Sequence, residues 1–165
     1  MRGIPWFLFG FVLVLFTFSL PQISSAQAQQ NSDSIATSTI ISLTNADRIS
    51  SGLPSLHSNV TLEAAAQMKA EDMAAKGYFA HTAPDGKTPW YWVARAGYSF
   101  SYAGENLAVY FSKSEQIEKA WMNSPSHKKN IVSNNYSDIG VGIAYGTYNG
   151  IATAFVVEFF GSPSH

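Results

Sequence analysis

The segment from Ala152 to Phe160 constrains this chain's fold most. Ala152, Ala154, Phe155, Val156, Val157, Phe159 and Phe160 leave only Thr153 and Glu158 as polar interruptions. A run this short and this apolar reads as a strand covered on both faces, because a strand with one wet face alternates apolar and polar residues. The preceding stretch does alternate, with Ile139, Val141, Ile143 and Tyr145 separated by Gly and Ala. Between the two lies Thr147 to Gly150, ending in the Asn149-Gly150 pair that favours tight hairpin turns. A hairpin is predicted, and Gly104 to Val109 reads as a third strand.

The first half of the chain supplies covering layers. Ile35 to Ser51 reads as a helix with Ile35, Ile41, Ala46 and Ile49 apolar and a stop at Gly52. Thr61 is the expected N-cap of a second helix, in which Leu62, Ala65, Ala66, Ala70 and Met73 form one stripe. Lys69 falls on that stripe, and Gly77 is the expected left-handed stop. Thr88-Pro89 opens a short helix that ends at Gly97. Ser112 and Glu115 have capping-box spacing for a fourth helix, with Ile117, Ala120 and Trp121 inward, a Glu115–Lys119 pair outward, and Pro125 at its end. Helices on both sides of a small, mostly antiparallel sheet give an α+β fold, a three-layer α-β-α sandwich.

The N-terminus belongs to export. Arg2 precedes an apolar run from Ile4 to Leu20, and Ala26-Gln27-Ala28 is a small-x-small site. This describes a secretory signal peptide over residues 1–28, cleaved after Ala28; the alternative is an uncleaved anchor. Residues 29–38 read as a flexible polar lead and 39–161 as a single domain. The chain has no cysteine. A secreted domain without disulfides must rely on its packed core. Of ten Lys and Arg, Arg2 leaves with the signal, against eleven Asp and Glu. That balance excludes a nucleic-acid footprint, and no membrane insertion is expected after cleavage. A monomer with an extracellular or cell-wall ligand is the expectation.

Three motifs carry candidate chemistry: His81 in 79–89, Glu105 in 103–108 and His127 in 120–131. Two imidazoles and a carboxylate could line one polar cleft or ligate a divalent cation. Each also has a plainer reading. His81 could bond backbone in its loop, Glu105 could sit in a structural ion pair, and His127 could be solvated beside Lys128. Glu158 lies inside the apolar strand and needs either a partner or an exposed face. No zincin helix, nucleophile elbow, P-loop or dinucleotide fingerprint is present.

Taken in order, the segments Leu43 to Arg48 with Gly52-Leu53-Pro54, Ala70 to Ala74, Phe79 to Thr82, Gly104 to Ala108, Trp121 to His127 and Ile139 to Gly142 resemble the CAP superfamily. The resemblance is to the bacterial secreted, SCP-like branch, over roughly residues 40–161. It implies an α-β-α sandwich and a cleft with two histidines and two acids, reported in some members to hold zinc. His81, Glu105 and His127 match three of the four positions, while Ser124 stands where many members have Glu. The resemblance therefore implies at most a weakly bound zinc and no single agreed activity. Three functions follow as expectations. One is a non-catalytic secreted binding module. Another is a metal-dependent hydrolase on His81, Glu105 and His127. The last is an apolar-ligand groove, such as one for a sterol or lipid, lined by Trp90-Tyr91-Trp92, a cluster that also reads as core.

Overall fold

The computed structural model describes residues 34–164. The expected signal peptide and the start of the lead lie outside the described residues. In chain order the elements are α1 (Thr37–Ser50), β1 (His57–Ser58), α2 (Val60–Lys76), α3 (Pro89–Ala96), β2 (Phe100–Val109), α4 (Ser114–Asn123), α5 (Pro125–Ile131), β3 (Asp138–Tyr148) and β4 (Ile151–Pro163). The first helix thus begins within the expected lead, and the last strand runs past the expected end of the domain.

The sheet order is β1-β3-β4-β2. β3 and β4 form the predicted antiparallel hairpin about Asn149-Gly150, and β2 pairs antiparallel with β4. β1 pairs parallel with β3 through His57 and Ser58. Two residues are too short to leave a sequence pattern, so this strand was not expected. β4 is central and covered on both faces. Phe155, Val157 and Phe159 pack with α2 and α3, while Val156 and Phe160 pack with α1, α4 and α5. The architecture is the α-β-α sandwich, with a mostly antiparallel sheet.

Several local expectations are corrected. The buried face of α1 is Ile40, Thr44 and Arg48, and Ile49 is 61% exposed. Apolar periodicity misplaced this face because two of its three buried side chains are polar. The Arg48 guanidinium donates to the carbonyls of Pro54, Ile131 and Ser133. The cap of α2 is Asn59, whose Oδ1 accepts from the N–H groups of Thr61 and Leu62. Thr61 is already inside the helix. α4 starts at Ser114, and Ser112 contacts Gln116 instead of forming a box with Glu115. Glu118 is buried where Ala120 was expected to be. Gly77 and Gly97 do close their helices in the left-handed region, at φ 65° and 92°.

Candidate functional site

β2 is an edge strand, and both helical layers meet over it. Successive side chains of a strand point to opposite faces. Glu105 and Leu107 therefore face the α2/α3 layer, and Asn106 and Ala108 face the α1/α4/α5 layer. The free side of the strand is covered by side chains of the second layer and the loop after it. Ala103 O accepts from Tyr136 Oη at 3.3 Å, Glu105 O from Asn130 Nδ2 at 3.0 Å, and Leu107 O from Trp121 Nε1 at 2.9 Å. Capping these carbonyls satisfies an edge that would otherwise recruit another strand.

His81 sits in the loop after α2, and its Nδ1 lies 2.5 Å from Glu105 Oε1. The His81 side chain is 60% exposed and that of Glu105 only 3%. Lys69 holds the loop from below. Its Nζ donates to the carbonyls of Ala80 at 3.1 Å and His81 at 2.8 Å and contacts Tyr78 Oη. The lysine on the apolar stripe of α2 is thus buried by design of its partners, and burial lowers its pKa while the charge of Glu105 opposes that.

Both members of the pair titrate high, for different reasons. The hydrogen bond to Glu105 raises His81, against the opposing effect of burial. Burial raises Glu105, against the bond to His81 and the charge of Lys69. Glu105 is the anion of the pair, because two bases face it. Its second oxygen, Oε2, is buried and has no hydrogen-bond partner among the described residues.

His127 lies in the first turn of α5, half-buried, and burial lowers its pKa with a further contribution from His81. The two imidazoles border different hollows. His81, Glu105, Trp90, Thr82, Thr88 and Asn130 line a cleft of about 450 Å³. His127 and Ser124 border an apolar hollow of about 220 Å³ formed with Phe79, Leu107, Phe111 and Trp121. Of the expected aromatic cluster, Trp92 is core, whereas Trp90 is 38% exposed on the cleft wall and packs on Phe100 with centroids 5.7 Å apart. Glu158 is fully buried on the opposite face of the sheet from Glu105 and bonds Thr44 and Asn106. Sequence reasoning missed Lys69, Asn106 and Asn130. A strand-interior Asn beside Glu105 was the one available signal.

The profile of the CAP family (cysteine-rich secretory protein family) matches residues 41–159. This chain belongs to the CAP family. Its relatives include the uncharacterized Bacillus subtilis protein YkwD, 42% identical over 103 residues that make up 62% of this chain and 40% of YkwD. The uncharacterized Bacillus subtilis membrane protein YlbC is 29% identical over 63% of this chain and 30% of its own length. The CAP chain thus spans less than half of each relative it matches. Among solved structures, an outer surface protein of Borrelia burgdorferi superposes with a TM-score of 0.66 at 27% identity, covering 77% of this chain and 92% of that one. An extracellular SCP-domain protein of Bacillus anthracis superposes with a TM-score of 0.65 at 26% identity, covering 86% of this chain and 45% of that one. Among the described residues of this CAP chain, no helix is long and apolar enough to cross a membrane.

Proposed function

We propose that the cleft beside His81 and Glu105 binds a ligand outside the cell, with a cell-wall component as its target, and that the domain is a non-catalytic binding module. The observation that carries this reading is the Glu105 carboxyl. It is buried, it is tied to an exposed imidazole through one oxygen, and its other oxygen has no donor. A ligand in the cleft meets the exposed His81 ring, which its bond to the buried Glu105 carboxyl turns into a charge-assisted donor. Trp90 offers a flat apolar wall, and Thr82 and Thr88 line the same cleft. A glycan of the wall, with hydroxyl and amide donors and apolar ring faces, suits this lining. Among the described residues no Ser or Thr hydroxyl bonds His81 or His127, which favours binding over nucleophilic catalysis.

A divalent cation is the second reading, favoured by the same unpartnered oxygen. The donor set fits it poorly. No group of three or more His, Cys, Asp or Glu donors converges for a metal among the described residues. A tight zinc centre on His81, Glu105 and His127, and a hydrolase built on one, therefore lack support in this arrangement.

The test is a chemical-shift map of the exported domain titrated with soluble peptidoglycan fragments, with fragment cleavage followed in the same tube. Shifts centred on His81, Trp90 and Glu105 without cleavage are expected. Cleavage that disappears in Glu105→Gln would replace the binding reading with an enzymatic one.

A further inference from the structure

Glu118 of α4 and Glu158 of β4 are buried carboxyls away from the cleft, and they contact one hydroxyl. Thr44 Oγ1 lies 3.1 Å from Glu118 Oε2 and 2.9 Å from Glu158 Oε1. A threonine hydroxyl carries a single hydrogen. It can donate to one carboxylate, and the other contact then needs a hydrogen from the carboxyl itself. A shared bond to two anions would leave both charges buried, and no ion pair reaches either of them among the described residues.

The remaining partners say which carboxyl holds the hydrogen. Glu158 accepts at both oxygens, from Thr44 and from Asn106 Nδ2 at 3.0 Å, which suits the anion. Glu118 Oε1 is buried with no donor among the described residues, and the charge of Asp47 on α1 acts against an anionic Glu118. A protonated Glu118 that donates through Oε2 makes the Thr44 contact attractive.

We propose that Glu118 and Glu158 hold one proton between them at neutral pH, resident on Glu118, and that this pair positions the cleft. The linkage is a continuous set of hydrogen bonds. Glu158 orients the amide of Asn106, whose Oδ1 accepts from Asn130 Nδ2 at 2.9 Å. Asn130 Nδ2 also donates to Glu105 O at 3.0 Å, and Asn106 Nδ2 reaches His127 O at 3.4 Å. The acid pair is thereby tied to the backbone of Glu105 in the cleft and of His127 in the neighbouring hollow. Removing the proton places a second negative charge beside Glu158 and pushes α4 off β4. α5 follows, because Ser124 alone joins the two helices.

The surroundings reinforce the proton. Burial raises both carboxyls, Glu118 to about 9 and Glu158 to about 8; the charge of Glu158 raises Glu118 further, whereas the bonds from Thr44 and Asn106 draw Glu158 down toward the anion. From α1, Thr44 and Asp47 face the pair, while neighbouring Arg48 directs Nε and Nη1 to the carbonyls of Pro54, Ile131 and Ser133, and its buried Nη2 has no hydrogen-bond partner among the described residues. β2 offers the neutral Asn106, β3 offers Val141 opposite Glu158, and α5 offers the His127 carbonyl.

The test is an NMR pH titration of the exported domain carrying ¹³Cδ-labelled glutamate, with the histidine ring resonances read in the same samples. One glutamate carboxyl should remain protonated at neutral pH and titrate on the alkaline side. The His127 ring signals should show a second inflection at that same pH. Glu118→Gln, which keeps a donor in place of the carboxyl hydrogen, should abolish both. Should that variant fail to fold, Thr44→Val must displace the alkaline midpoint. Glutamates that all titrate in the ordinary carboxylate range, or a His127 signal blind to the alkaline step, would overturn the proposal. The consequence at His127 rests on the cleft reading above, whereas the carboxyl titration needs no ligand, so the two can fail separately.

Discussion

His81 and Glu105 form a proton-sharing pair in which the exposed partner is the base and the buried partner is the acid. That asymmetry makes the imidazole the reporter. His81 should titrate above the ordinary histidine value of about 6.5, and His127 below it. In Glu105→Gln the His81 midpoint should fall back toward that value, as read by two-dimensional NMR of the histidine rings. An unmoved midpoint would contradict the pairing. The sign for stability follows. The folded His81 pKa lies above the unfolded one, so the pair's contribution is complete below the unfolded value and is lost as pH rises through the folded one. Because His81 is largely exposed, that contribution is small. At this scale the sequence announced Glu105, since an acid among apolar neighbours requires a donor. Lys69 looked like a flaw in a helical stripe. Its partners, the Ala80 and His81 carbonyls, lie in a loop whose path no periodicity reveals.

α2 lies on β3 at backbone contact distance, and the glycines alternating with Ile139, Val141 and Ile143 are the reason. A Cβ on Gly140 would stand 2.3 Å from Glu63 N, and one on Gly142 2.2 Å from Gln67 N. Both neighbours are helix backbone, which cannot rotate aside. Gly142→Ala should therefore cost about 3 kcal/mol, the upper end for overpacking. It should lower the urea midpoint at unchanged slope, and a midpoint within error of the parent would show that α2 can back away. The alternation was legible as a strand, and so was the Asn149-Gly150 turn. The purpose of the glycines was not, because it depends on a helix about 75 residues earlier in the chain. The buried face of α1 was illegible for a related reason. Thr44 and Arg48 are polar, and they become core only once Glu118, Glu158 and distant carbonyls supply partners.

The molecule places its candidate site where three layers end together. β2 closes the sheet, α2 and α3 lie on one side of it, and α4 and α5 cover the other. The cleft draws Glu105 from the strand, His81 and Trp90 from the first layer, and Asn130 from the second. Fold class could be read before the structure because the apolar patterns of the strands and the helix stops are local. The separation of His81 and His127 into neighbouring hollows could not, because it depends on which side of an edge strand each helix approaches. The central claim is that the Glu105 carboxyl makes this cleft a binding site. The most direct measurement is a binding isotherm of this protein on purified peptidoglycan sacculi, compared with Glu105→Gln and with the exposed control Lys119→Ala. Loss of a charge-assisted hydrogen bond of about 1.5–3 kcal/mol predicts an affinity reduced by roughly one to two orders of magnitude in Glu105→Gln and unchanged in the control. Equal binding by all three proteins, or none by the parent, would contradict the account.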